Sequence, residues 1–151
     1  MNAIQRNTYT EAWREIGRSI PRPKAILCVS AHWYVSGVAV TAMANPRTIH
    51  DFGGFPRELF QVQYPAPGSP QLATRVRELI GESVFLDDTH WGLDHGTWSV
   101  LVHVFPEAVI PVVQLSLNDT EPALFHYELG KRLVRLTQRR RTCDRQWKSC
   151  T

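Results

Sequence analysis

The stretch Ala25–Tyr34, AILCVSAHWY, begins as a buried strand and stops on a histidine set between a small residue and two aromatics. The apolar residues up to Ala31 run without interruption and favour β structure, the pattern of a strand covered on both faces. His32 then falls at the strand's end, and in α/β sheets the carboxyl ends of strands are where sites gather. Two readings stand at this point: a strand-terminal residue bonded to a loop carbonyl, or an imidazole fixed at its backbone as a metal ligand.

Working outward, YTEAWREIGRSIPRP (9–23) reads as a short helix, capped by Thr10, with Trp13, Ile16 and Ile20 at helical spacing and prolines ending it. SGVAVTAM (36–43) reads as a second strand. Residues 44–70 are dense in Pro, Gly and aromatics, a composition that predicts a long ordered loop of the kind that carries function. In SPQLATRVRELIGES (69–83), Ser69 caps a helix, Pro70 takes its first position and Gly81 stops it. SVFLDD is a short strand. THWGLDHGTWSVLVHVFP starts as a polar loop and becomes an apolar helix closed by Pro106. AVIPVVQLSL is another buried strand, and DTEPALFHYELGKRLVRLTQ a helix with Asp119 or Thr120 at its start. Strands alternating with helices predict an α/β layered sheet.

The 151 residues fit one domain, and a hydrophobic fraction of 43% with five tryptophans argues against disorder. No apolar run approaches the roughly 20 residues of a membrane span, and the first residues lack the apolar stretch of a signal peptide. The expectation is a cytoplasmic protein that binds no membrane. Three cysteines without a CxxC pair suggest neither a disulfide framework nor a thiolate zinc cluster, and Cys28 reads as a small core residue. The net charge of +3 is a property of the C-terminus: residues 131–151 hold eight of the 17 Lys and Arg and one acid. The other residues carry nine bases against 13 acids. A nucleic-acid partner is therefore not expected.

Of six histidines, His103 and His126 lie in helical segments and have no acidic or histidine partner at i+3 or i+4 within their own segment, Glu107 lying beyond Pro106. His32, His50, His90 and His95 fall at strand ends or in loops, from which side chains can converge on one cleft. Neutral imidazole suits zinc and iron and moves protons near neutral pH. In DHGTW, His95 sits at a helix start, free to act as acid/base or to bond an anionic oxygen, unless Asp94 is simply a cap and His95 a bystander. In HDFGGFP, two glycines let backbone approach a ligand, and Phe52 and Phe55 suit an aromatic guest, or pack a tight turn by themselves. No HExxH, GxSxG, P-loop or GxGxxG motif is present.

Together, SAHWY, TIHDFGGFP, YPAPGSP, WGLDHGTWSVL and IPVVQLSL resemble, in order and spacing, the class III extradiol ring-cleavage dioxygenases, and within them the DOPA 4,5-dioxygenase type. The resemblance implies a mixed-sheet α/β sandwich with helices on both faces, incomplete relative to the family fold. It implies a non-haem Fe(II), or Zn(II) in its place, and cleavage of a catechol-type ring with O2. By the same resemblance His32 is a metal ligand, His95 the pocket's acid/base or oxygen-binding residue, and His50 a neighbour of the substrate, with Phe52 and Phe55 shielding the ring.

The chain departs from that pattern at both ends. Members begin with a strand and a His-Gly-Ser-Pro-Met motif whose histidine is another ligand, whereas MNAIQRNTYT matches from that methionine onward. After GKRLVRL the family continues into a strand and a Val-His-Asn segment; here TQRRRTCDRQWKSCT follows. The expectation is a partial dioxygenase domain over 1–136 and a basic tail over 137–151, either disordered or read in a shifted frame. A single ligating histidine makes a poor site, so the alternative is a catalytically inactive fragment, at most weakly zinc-binding.

Overall fold

The computed structural model describes residues 2–137, so the basic tail lies almost wholly outside the described residues. Four strands form one mixed sheet: β1 (Ile26–Val35), β2 (Ala39–Thr41), β3 (Phe85–Asp87) and β4 (Val112–Asn118), in the spatial order β1-β4-β2-β3. β1 runs parallel to β4 and β2 parallel to β3, while β2 and β4 are antiparallel. The helices are α1 (Thr8–Ser19), α2 (Arg57–Phe60), α3 (Pro70–Ile80), α4 (His95–Val104) and α5 (Ala123–Leu133), followed by a 3-10 turn at Val134–Leu136.

β4 is the central strand, buried along its length except for Leu117. Its alternation divides the core: Val112 packs with Leu93, Trp98, Leu101 and Phe105 on the α4 side. Val113 and Leu115 pack with Val40, Ala73, Val76 and Ile80 on the α3 side. Helices therefore cover both faces, as the alternating elements predict.

Three local expectations change. α1 is capped by Asn7, not Thr10. The Asn7 side chain accepts from the Thr10 N–H at 3.1 Å and Thr10 Oγ1 accepts from the Asn7 N–H at 2.9 Å, a reciprocal capping box. α5 starts after Pro122 rather than at Asp119 or Thr120, because Asn118 Oδ1 takes the Thr120 N–H and holds the intervening residues in a turn. The third change concerns β1. Its apolar run predicts cover on both faces, but among the described residues β1 lies at the edge of the sheet and Val29 is 53% exposed. It also does not end at His32: it continues to Val35, with its pairing to β4 interrupted between Val29 and Tyr34. His32 thus sits on an irregularity within a strand, where a bulge re-aims side chains.

Elsewhere the local signals hold. Ser69 Oγ accepts from the Leu72 N–H, Pro70 opens α3 and Gly81 follows its last turn. α1 crosses α4 so closely at Gly17 that an added Cβ would collide with the Val104 carbonyl. Gly17→Ala is expected to cost about 1–3 kcal/mol by overpacking, read as a lower urea midpoint with an unchanged slope. Gly130→Ala in α5, where a methyl group meets open space, is expected to leave stability unchanged or raise it by up to about 1 kcal/mol.

Candidate functional site

α4 begins at a polar turn inside the protein. Asp94, with no exposed surface, caps it by accepting from the Thr97 N–H. The same carboxylate accepts from Ser30 Oγ on β1 at 2.7 Å and from Gln114 Nε2 on β4 at 2.6 Å. A buried charge is tolerated only with such donors around it. Ser30 Oγ in turn accepts from the His32 backbone N–H at 3.2 Å. The helix start is thereby tied to the irregular part of β1.

The loop 44–70 reaches the same place from the other side. The Ile49 N–H donates to the Leu93 carbonyl at 2.8 Å and the Leu93 N–H to the Arg47 carbonyl at 2.9 Å, a short parallel bridge beside Asp94. Trp98 Nε1 donates to the Ile49 carbonyl at 2.7 Å. Fixed this way, the loop delivers Asp51 to the first residue of α4: Asp51 Oδ1 accepts from the His95 backbone N–H at 2.9 Å.

His32, Asp51 and His95 converge, each offering a ligand atom within 4.8 Å of the others. The His32 and His95 ring centroids are 3.9 Å apart. His95 Nδ1 lies 2.9 Å and His32 Nδ1 3.9 Å from Asp51 Oδ2. The first separation is that of an ion pair, and His95 Nδ1 is buried with no other polar partner. Burial pushes the Asp51 carboxyl up, but the His95 backbone N–H and the neighbouring His95 ring outweigh it and hold it below the ordinary carboxylate value. His32 is the open side of the cluster, its side chain 47% exposed.

Beside His95 lies a cavity of ≈ 180 Å³ whose wall includes Trp13, Phe52, Phe55, Leu59 and Trp98. Phe52 meets Phe55 and His95 edge-on, at 5.5 and 5.3 Å between centroids. The loop phenylalanines thus both pack on each other and face the cavity.

The four loop histidines do not all converge. His50 packs behind Phe52, 5.8 Å between centroids, and its Nε2 is 2.9 Å from the Val62 carbonyl. His90 is exposed beside Asp87, away from the donors. Cys28 is partly buried, its thiol within 3.3 Å of Thr97 Oγ1, and burial pushes its pKa up. Asp94 is both the cap that the sequence suggests and the centre of a network, and His95 lies next to it in the cluster with His32 and Asp51. Asp51 was missed. Its signal was adjacency, since it follows His50 directly in HDFGG and is the acid of that motif.

In this mixed α/β sheet a two-histidine, one-carboxylate cluster, a donor set suited to a divalent metal, lies beside a cavity walled by aromatic side chains. The chain belongs to the family of catalytic LigB subunits of aromatic ring-opening dioxygenases, whose model matches residues 2–142. It is 52% identical over 137 residues to a 4,5-DOPA dioxygenase extradiol of Escherichia coli K12, covering 90% of this chain and 51% of that one. A 4,5-DOPA dioxygenase extradiol of Mirabilis jalapa is 42% identical over 137 residues, 89% of this chain and 51% of that one. The crystal structure of an uncharacterized E. coli K12 protein superposes with a TM-score of 0.73 at 44% identity, covering 88% of this chain and 50% of that one. The chain spans about half the length of the curated relatives it matches.

Asp87, at the end of β3, anchors the loop that leads into this site. Its carboxylate accepts the backbone N–H groups of Thr89, His90 and Trp91 at 3.1, 2.8 and 2.8 Å. Burial raises its pKa, but those N–H donors outweigh burial and bring it below the ordinary 3.8. A carboxyl lowered on folding adds stability that is present above the unfolded value and lost as pH falls through the folded one. Asp87→Asn is therefore expected to lower the melting temperature at pH 7, with the gap to the wild type closing as the pH falls below 3.8.

Proposed function

We propose that this chain carries the site of an extradiol ring-cleavage dioxygenase that takes a catechol-type, DOPA-like aromatic and O2. The observation that carries the reading is the His32–Asp51–His95 cluster next to the Phe52–Phe55 cavity, in a chain of the ring-opening dioxygenase family. Two imidazoles and one carboxylate are the donors of non-haem Fe(II) oxygenases, and Zn(II) accepts the same set. The buried His95 Nδ1 beside Asp51 Oδ2 fits a divalent cation, since an imidazole nitrogen and a carboxylate oxygen this close can both ligate one ion.

Bound there, Fe(II) would lower the pKa of a catechol hydroxyl and bring the ring and O2 into reach of each other. The protein's own part is positioning. Asp51 holds the His95 backbone through its N–H, and the open edge at His32 leaves access to the cluster. Phe52 and Phe55 give a planar guest an apolar wall and keep water off it. His50 supports Phe52 from behind rather than lining the cavity.

A second role for His95 is favoured by its place on the cavity wall: with Asp51 fixing its backbone, its ring can take or return a substrate proton. The two roles separate by experiment. If His95 is a ligand, His95→Gln and His32→Ala both abolish stoichiometric Co(II) or Zn(II) uptake. If it is the acid/base, His95→Gln keeps the metal and lowers turnover about 10²–10⁴-fold.

The decisive assay supplies purified chain with Fe(II), O2 and a DOPA-like catechol and follows the yellow ring-opened product. The expected result is product with the wild type and none with His32→Ala. Absence of both product and metal uptake in the wild type would leave the inactive-fragment reading.

A further inference from the structure

We infer that Gly96 and Ser30 are positioning residues which together set the His32 imidazole against His95. The inference rests on the proposed role of the His32 cluster for its function, though not for its geometry.

Gly96 is the second residue of α4, between His95 and Thr97. A Cβ built on it would lie 2.7 Å from His32 Cδ2, 2.9 Å from Ser30 Oγ and 3.3 Å from Asp94 Oδ1. Real Cβ atoms do not approach carbon at the first distance, so the His32 ring occupies space that exists only because residue 96 has no side chain. Its backbone is not in the left-handed region, so conformational freedom does not explain the glycine. Glycine is a poor helix residue, and its use here fits the close approach of a ring to the helix backbone.

Ser30 acts on the other end of the same residue. Its Oγ donates to the buried Asp94 carboxylate and accepts from the His32 N–H, joining the helix cap to the backbone of the irregular stretch of β1. The strand-to-strand ladder is interrupted between Val29 and Tyr34, so this side chain supplies a link the sheet does not. Clearance from Gly96 and the tether through Ser30 hold the two imidazole centroids at 3.9 Å. Contacts outside the donors orient them, and losing one weakens metal binding.

The test has two independent readouts on the purified chain. Metal-free protein is examined by NMR for cross-relaxation between the His32 Hδ2 and Gly96 Hα protons, and between the His32 and His95 rings. Co(II) affinity is then measured by titration. The wild type is expected to show both cross-peaks. Gly96→Ala is expected to lose the ring-to-ring peak and to weaken Co(II) binding about 10- to 100-fold, with a native circular dichroism spectrum. Gly130→Ala serves as the control and is expected to change neither readout.

Should Gly96→Ala not fold, Ser30→Ala carries the test: its His32–Gly96 and ring-to-ring peaks are expected to weaken and its Co(II) affinity to fall in the same direction. Retention of the ring-to-ring peak, with Co(II) affinity unchanged, in either folded variant overturns the inference. If the wild type takes up no Co(II), the metal reading fails by itself. The cross-peaks then decide the positioning alone: their loss in the variants supports it and their persistence refutes it.

Discussion

Asp94 places a carboxylate without exposed surface at the point where α4, β1 and β4 meet. Taken from water, that charge is tolerable only because Ser30, Gln114 and the first turn of α4 all donate to it. Each donor comes from a different element, so satisfying one group fixes three pieces of backbone relative to one another. His32 follows Ser30 by two residues and His95 follows Asp94 directly. Their proximity is thus a consequence of how the buried charge is solvated by the protein. Loop 44–70 adds Asp51 through a separate set of bonds to the segment before α4.

Much of this was legible in the sequence where the physics is local. Ser69, Pro70 and Gly81 mark α3 because capping needs only a few neighbouring residues, and Asp94 reads as a cap for the same reason. The apolar character of VVQLSL is that of a strand with helices on both sides, and β4 is that strand. The family resemblance, carried by five motifs, agrees with the match over residues 2–142. β1 misled because its composition is that of an interior strand. Whether a strand lies at an edge depends on pairing partners distant in sequence, and the alternation of residues carries no trace of that.

The site was legible in part. His32 and His95 stand out because imidazoles at the edges of elements are candidates on chemical grounds alone, and the structure brings those two together. His50 and His90 stood out on the same grounds and lie elsewhere, one behind Phe52 and one at the surface. Asp51 did not stand out, since acids in polar loops are common and its one mark, adjacency to His50, does not point to a partner on α4. Gly96 was hidden for a different cause: its significance is an empty volume, and a volume belongs to the fold rather than to any residue type.

The first turn of α4 packs cap, imidazole, clearance and network donor into the four consecutive positions Asp94, His95, Gly96 and Thr97. Residues 53 and 54, by contrast, have nothing crowding them. A single insertion within 94–97 would turn the positions after it by about 100° relative to those before it. The contacts of that turn with Ser30 and His32 depend on all four positions keeping their present register.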